Sequence, residues 1–128
     1  MSVAVHYYSR SGNKKAIAEA IAARAGVTAE SVDTLQESRL VDVLVLGGAL
    51  YAYGLDSHLA DYLKTLKKED AGKAVIFSTS WLSKHAIDLI RKGLSDAGIP
   101  VSEEVFYVRG KPSEAQLKEA AVFAEKFL

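Results

Sequence analysis

The hydrophobic positions at the start of the chain predict a strand, a short loop and a helix. Residues 3–8 form an apolar run with β-branched and aromatic side chains, too short for a helix, which predicts a buried strand. After Asn13, apolar residues recur at helical spacing, at Ile17, Ala20, Ile21 and Ala25. Gly26 is placed to end that helix.

The alternation of strand and helix continues through the middle of the chain. A weak strand is predicted at residues 31–35, and a strongly apolar one at residues 41–47. A helix is predicted from about Ser57. Its apolar stripe consists of Leu59, Tyr62, Leu63 and Leu66.

The last part of the chain repeats the pattern. Strands are predicted at residues 74–78 and 105–108, with a helix between them whose stripe is Ile87, Ile90 and Leu94 and whose end is marked by residues 98–100. Ser113 and Gln116 have the spacing of a capping box, so they predict the start of a final helix. The stripe of that helix is Leu117, Ala120, Ala121, Ala124 and Phe127.

Strands that alternate with helices, and are mostly apolar on both faces, predict an α/β fold with a parallel sheet covered by helices on both sides. The chain has 128 residues and 49% hydrophobic content, enough for one sizeable core, so residues 1–128 are expected to form a single domain.

Charge and composition exclude several classes of function. The 16 basic and 16 acidic residues balance, so no overall field attracts nucleic acid or an anionic membrane. There is no cysteine, which excludes disulfides, thiolate metal sites and cysteine nucleophiles. No apolar run approaches the roughly 20 residues of a membrane span, and no basic leader precedes the first strand. A cytoplasmic protein without a membrane segment is expected.

The candidate chemistry lies in three loops. In a doubly wound sheet, ligands bind beyond the carboxyl ends of the strands, where successive crossovers leave in opposite directions. The loops in question are residues 9–14, 48–56 and 79–83.

The first of these loops predicts an anion site. Ser9 and Ser11 supply hydroxyls, Gly12 allows a tight backbone turn, and the N–H groups of the following helix face the loop. An alternative is that these residues only form a turn and cap the helix, which Ser, Gly and Asn commonly do.

The other two loops carry aromatic rings. Tyr51 and Tyr53 lie among small residues after the third strand, and Trp81 follows the fourth. Each ring could pack on a neighbouring helix. Together with an anion site, however, they favour a nucleotide-like aromatic phosphate as the ligand. The P-loop pattern and the dinucleotide-binding G-x-G-x-x-G pattern are both absent. His58 and His85 have no partner at metal-ligand spacing, so no metal site is predicted.

The first loop resembles the flavodoxin family, whose pattern is T/S-x-T/S-G-N-T. Here the motif reads Ser9, Arg10, Ser11, Gly12, Asn13 and Lys14, so Lys14 replaces the final hydroxyl residue. Residues 41–47 with the following tyrosine loop, residues 77–80 and residues 111–127 are also similar to that family. The short connection at residues 109–112 resembles the short-chain form.

The resemblance implies a flavodoxin-like three-layer sandwich whose five-stranded parallel sheet has the order 2-1-3-4-5, with flavin mononucleotide (FMN) as cofactor. It implies that Ser9, Ser11, Gly12 and Asn13 hold the phosphate. Arg10 and Lys14 depart from the family's neutral donors and are expected to add positive charge to this site. It also implies that Tyr51 or Tyr53 and Trp81 flank the flavin ring. The remaining cofactor-binding residues expected are Ala49, Leu50, Gly54, Thr79 and Ser80.

The expected function is electron transfer between redox partner proteins, with no catalytic side chain in the protein itself. Two alternatives stay open: a flavin-dependent reductase or oxidase, such as a quinone reductase or a protoporphyrinogen oxidase-like protein, and a flavin-free interaction module of the same fold.

Overall fold

A computed structural model describes residues 3–8, 13–32, 41–48, 50–51, 54–55, 57–78, 85–108 and 112–126. Within these residues, five parallel strands form one sheet. They are β1 (Val3–Tyr7), β2 (Ala29–Ser31), β3 (Val41–Gly48), β6 (Ala71–Ser78) and β7 (Val101–Tyr107), while β4 (Leu50–Tyr51) and β5 (Gly54–Leu55) form a separate two-stranded sheet. The order across the larger sheet is β2-β1-β3-β6-β7. Counting only these five strands in chain order gives 2-1-3-4-5, so the predicted fold class and topology are confirmed.

Helices cover both faces of the sheet. They are α1 (Asn13–Ala25), α2 (Ser57–Thr65), α3 (His85–Asp96) and α4 (Glu114–Glu125), and a 3-10 turn at Lys68–Asp70 precedes β6. Helices α1 and α4 pack together on one face, and α2 and α3 pack together on the other. The result is the predicted three-layer arrangement.

Alternate side chains along the strands pack into two separate hydrophobic cores, one on each face of the sheet. On the α1 and α4 side, Val5, Val45 and Phe77 are buried with residues of both helices. On the α2 and α3 side, Leu46 and Ile76 are buried with Ile90. Because the strands are buried on both faces, they read in the sequence as continuous apolar runs.

The first helix lies as predicted, but its most buried stripe is rotated by one residue. Ile17 and Ile21 are buried as expected, together with Ala18 and Ala22, whereas Ala20 is only partly buried. Alanine is a weak marker of the buried face, because its small side chain is tolerated at any position of a helix.

The weak strand was predicted too late in the sequence. β2 occupies Ala29–Ser31, and residues 33–35 of the prediction lie outside the described residues. Gly26 has a φ of 74°, and the N–H of Val27 donates to the carbonyl of Ala22 at 2.9 Å, which turns the chain back onto the sheet at once. The pairing of β2 with β1 therefore begins at Ala29, four residues after the helix end.

Three further differences concern the extent and number of strands. β6 begins at Ala71 rather than Ala74, and β7 begins at Val101 rather than Val105, because both extensions carry polar residues that lack an apolar signal. In the second loop, β4 (Leu50–Tyr51) and β5 (Gly54–Leu55) form an antiparallel pair that was not predicted.

The predicted start of α4 is confirmed in detail. The N–H of Gln116 donates to the Ser113 hydroxyl at 3.2 Å, and the N–H of Ser113 donates to the Gln116 side-chain oxygen at 2.9 Å. This reciprocal pair is a capping box, which satisfies two helix N–H groups that have no partner within the helix.

Candidate functional site

The carboxyl ends of the five strands form the candidate binding edge. β1 lies between β2 and β3, and the chain leaves β1 through α1 on one face and leaves β3 through α2 on the other. The connections that follow the neighbouring strands β1 and β3 therefore run to opposite faces of the sheet. Doubly wound sheets bind ligands at such a position.

The first candidate loop leads directly into a helix at this edge. Ser9, Arg10, Ser11 and Gly12 lie outside the described residues, whereas Asn13 and Lys14 are the first two residues of α1. The first turn of α1 contains no acidic residue, and Lys15 is exposed. The N–H groups of this turn, which have no partner within the helix itself, and the nearby positive charge suit an anion.

The second candidate loop forms the small hairpin β4–β5. Leu50 pairs with Leu55, and Tyr51 pairs with Gly54. Three predicted site residues, Leu50, Tyr51 and Gly54, therefore belong to one hairpin just beyond β3. Ala49 and Tyr53 lie outside the described residues. The described backbone of this loop is therefore an antiparallel hairpin. That Tyr51 or Tyr53 stacks on a ligand stays a prediction.

The third candidate loop follows β6. Thr79, Ser80 and Trp81 lie outside the described residues. The strand itself ends at Ser78, which is in register with Gly48 at the end of β3. The second and third loops therefore start from neighbouring points of the same edge.

A row of residues crosses the sheet just below this edge, on the α1 and α4 face. Tyr7, Gly47, Phe77 and Phe106 are in register on four neighbouring strands. A Cβ atom added to Gly47 would lie 2.7 Å from Cε1 of Phe77, with two other ring carbons nearer still. The Phe77 ring therefore covers Gly47 and fills the gap that glycine leaves in the row.

The backbones of β1 and β3 are also joined at this level. The N–H of Tyr8 donates to the carbonyl of Gly47 at 3.2 Å. Tyr8 is the last described residue before the first loop, and Gly47 is one residue before the end of β3. The two strands are thus held together directly below both candidate loops.

A polar contact on the opposite face of the sheet has no counterpart among the predictions from the sequence. His6 Nδ1 lies 2.6 Å from the hydroxyl oxygen of Tyr62, and the two rings meet edge to face with centroids 5.7 Å apart. His6 Nε2 is 4.0 Å from the Glu30 carboxylate on β2. The sequence shows a histidine within an otherwise apolar strand, which indicates a buried polar contact. Its partner Tyr62 is 56 residues away, so no local pattern identifies it.

Burial controls the protonation of both rings. It lowers the pKa of His6, while the Glu30 carboxylate acts in the opposite direction. It also raises the pKa of the Tyr62 phenol, and the negative charge of Asp70 adds to that effect. At neutral pH, His6 is therefore an uncharged ring, and Tyr62 is a protonated hydroxyl beside it.

Two features are absent from the part of the chain that the structure describes. No group of three or more His, Asp or Glu side chains is arranged to hold a metal ion. In the same residues, no helix has the length and apolar character required to cross a membrane.

No protein-family model matches the sequence, and no curated protein matches it. Solved structures do. A flavodoxin from the domain Archaea superimposes with a TM-score of 0.82 and 23% identity, covering 98% of each chain. Oxidised flavodoxin 1 from Bacillus cereus has a TM-score of 0.79 and 18% identity, covering 99% of this chain and 97% of that one.

The chain has the flavodoxin-like fold. The same fold also occurs within a longer protein, the rubredoxin oxygen:oxidoreductase of Desulfovibrio gigas, with a TM-score of 0.81 and 15% identity. That match covers 96% of this chain but 34% of the other. In this flavodoxin-like chain, the strands that precede the candidate loops end at the carboxyl edge of the sheet. His6, which contacts Tyr62, lies one residue before the end of β1.

Proposed function

We propose that this chain binds FMN at the carboxyl edge of its sheet and carries electrons between redox partner proteins in the cytoplasm. The observation that carries the proposal is the start of α1 at Asn13, directly after a loop of hydroxyl residues and glycine, at the point where the crossovers diverge. The near-complete match to proteins named flavodoxins supports the same conclusion.

The phosphate would be held by the first loop. Ser9, Ser11 and Asn13 offer hydroxyl and amide donors, Gly12 permits a close backbone approach, and the first turn of α1 has no carboxylate that would repel a dianion. Arg10 and Lys14 add positive charge to this loop. Lys14 stands at the last position of the motif, where the family pattern has a neutral hydroxyl residue.

The flavin ring would lie between the second and third loops. The hairpin β4–β5 carries Tyr51 and is followed at once by α2, and the third loop carries Trp81. Flat aromatic side chains at this edge would cover the ring and limit its contact with water. The flavin supplies the redox chemistry when bound, and the protein contributes binding, orientation and local charge.

An absorption spectrum of the purified protein tests this proposal. We expect visible flavin bands that are lost in Ser11→Asp, because a carboxylate in the loop would repel the phosphate. Thr28→Asp is the matched control, since Thr28 is an exposed hydroxyl residue next to β2, at the amino edge of the sheet. Loss of the bands in both variants, or in neither, would argue against the proposed site.

Turnover measurements separate a carrier from an enzyme of the same fold. A carrier is expected to be reduced slowly by NADPH in stopped-flow experiments and to show no steady-state reduction of a quinone. Rapid quinone turnover would instead support a flavin-dependent reductase. The same fold does occur within a longer protein named an oxygen:oxidoreductase. A colourless protein that binds no added flavin would support an interaction module.

A further inference from the structure

The Tyr62 hydroxyl and the His6 imidazole form a largely buried polar pair on the α2 and α3 face of the sheet. The phenol oxygen of Tyr62 lies 2.6 Å from Nδ1 of His6, and Nε2 of the same ring is 4.0 Å from the Glu30 carboxylate. The His6 side chain is only 14% exposed, and Tyr62 is partly buried. A phenol from α2, a base from β1 and a carboxylate from β2 thus follow one another.

The distances indicate that the phenol donates the hydrogen bond and His6 accepts it. A separation of 2.6 Å is shorter than the about 2.7–3.2 Å typical of an N–H donor and suits an O–H donor. The Glu30 carboxylate favours the tautomer with the proton on Nε2, because the other tautomer would turn a lone pair toward a negative charge. Nδ1 of neutral His6 is then an acceptor facing the phenol proton.

The same ring position also suits the charged form of His6. If the phenol proton moves to Nδ1, the resulting imidazolium carries N–H on both nitrogens. The Nδ1–H then donates to the Tyr62 oxygen, and the Nε2–H faces the Glu30 carboxylate. Proton transfer along this contact therefore requires no movement of either ring, and the carboxylate offsets part of the cost of a buried positive charge.

The surroundings keep both rings uncharged before any electron is removed. Burial lowers the pKa of His6 and raises the pKa of the Tyr62 phenol, and the negative charge of Asp70 adds to the second effect. Glu30 and Asp70 are both anions, so each favours a positive charge that develops on the pair. The proton therefore stays on the phenol until Tyr62 is oxidised.

This contact allows Tyr62 to lose an electron without passing through a high-energy cation. Removal of an electron turns a phenol into a strong acid, and a base within about 2.6–3.2 Å of its oxygen can accept the proton in the same step. The O–H bond of Tyr62 breaks, an N–H bond forms at Nδ1 of His6, and one electron passes to the oxidant. The products are a neutral tyrosyl radical, an imidazolium ring and the oxidant reduced by one electron. The reverse step returns the electron and the proton to Tyr62.

The pair lies close to the carboxyl edge of the sheet. His6 is in register with Leu46, two residues before the end of β3, which corresponds to about 7 Å along a strand. Tyr62 is about 7–8 Å along α2 from Ser57, and Ser57 follows the hairpin β4–β5 by two positions. An electron that leaves Tyr62 therefore has a short path to a ligand bound at this edge.

We propose that Tyr62 is a redox-active tyrosine with His6 as its built-in proton acceptor, and that it gives one electron reversibly to a strong one-electron oxidant. Photo-excited flavin is the oxidant that the proposed function would provide, so this part of the proposal rests on FMN binding. The redox activity of the pair itself does not.

Oxidation of the flavin-free protein by a photo-excited ruthenium tris-bipyridine complex, with persulfate as the final electron acceptor, tests the pair. Electron paramagnetic resonance should show a neutral tyrosyl radical with a deuterium-exchangeable coupling, from the hydrogen bond that protonated His6 donates. Tyr62→Phe should remove this component. Tyr7→Phe is the matched control, because Tyr7 is next to His6 on β1 but belongs to the core on the opposite face, so the component should persist.

His6→Gln distinguishes a proton acceptor from a structural partner. Glutamine can still accept a hydrogen bond through its side-chain oxygen, but it is not a base. After a laser flash, the rate of Tyr62 oxidation should therefore fall on the order of a hundredfold or more, the usual contribution of a positioned base. The exchangeable coupling from the histidine should be lost as well.

The outcomes separate this proposal from FMN binding. In protein loaded with FMN, blue light should give the same radical, and Tyr62→Phe should remove it. If no FMN binds, the proposed function is wrong, and the ruthenium experiment still decides the pair. A ruthenium-generated radical that does not reside on Tyr62, or an oxidation rate unchanged in His6→Gln, would overturn the pair. A Tyr62 radical formed with ruthenium but not with light on the FMN-loaded protein would overturn the link to the flavin.

Discussion

The ring of Phe77 covers the Cα of Gly47 on the neighbouring strand, in the space that a Cβ atom would need. Phe77 is fully buried, so it has no empty space to move into. This contact lies one residue below the points where β3 and β6 end and the candidate loops begin.

Gly47→Ala should therefore destabilise the protein by about 1–3 kcal/mol, the usual cost of overpacking a core. Urea unfolding measures this effect. Gly47→Ala combined with Phe77→Leu should recover part of the loss relative to the sum of the single variants, because the smaller side chain relieves the clash. Strictly additive effects would show that the ring does not restrict position 47.

The stability of the protein should depend on the protonation of His6. Since burial lowers the pKa of His6 in the folded state, the unfolded chain binds the proton first as the pH falls. The contribution of uncharged His6 to the free energy of unfolding is complete above about pH 6.5, the ordinary histidine pKa. It is lost as the pH falls through the lower pKa that His6 has in the folded protein. Urea unfolding between about pH 8 and about pH 5 should show this slope in the wild-type protein and a shallower one in His6→Gln. Equal slopes in the two proteins would contradict a lowered pKa of His6 in the folded state.

The capping box of α4 should make a measurable contribution. Ser113→Ala removes the acceptor for the Gln116 N–H and should cost about 1 kcal/mol in urea unfolding. Ser95→Ala is the control, because Ser95 is an exposed residue within α3 and alanine is favourable in a helix. A loss as large in the control as in Ser113→Ala would mean that the cap itself contributes little.

The ion pair between α1 and α4 should contribute much less. Arg24 and Glu125 contact each other, but their side chains are 56% and 40% exposed. A double-mutant cycle with Arg24→Gln and Glu125→Gln should give a coupling of about 0.2–1 kcal/mol that decreases with added salt. A coupling that is larger and insensitive to salt would show that this pair is more shielded from solvent than its exposure indicates.

The sequence was sufficient for the fold wherever burial produced a clear pattern. β1 and β3 are buried on both sides and were predicted within one residue of their ends. β2 was misplaced because its three residues are held by pairing with β1 rather than by apolar character. The early residues of β7, including Glu103 and Glu104, escaped prediction for the same reason: an edge strand tolerates exposed charge.

The candidate site could be predicted only where local chemistry identifies it. The loop before α1 was recognisable because hydroxyl residues and glycine ahead of a helix suit an anion. The hairpin β4–β5 depends on backbone pairing over two residues on each strand, which is too short to leave a pattern. The His6–Tyr62 contact joins residues far apart in sequence, and only the topology brings them together.

Titration of the flavin-free protein with FMN and with riboflavin, followed by flavin fluorescence, tests the central claim most directly. The account predicts saturable binding of one FMN per chain. It also predicts at least about tenfold weaker binding of riboflavin, because riboflavin lacks the charged hydrogen bonds of a phosphate, each of which contributes about 1.5–3 kcal/mol. Equal affinity for the two flavins, or no binding of either, would contradict a phosphate site in the loop before α1.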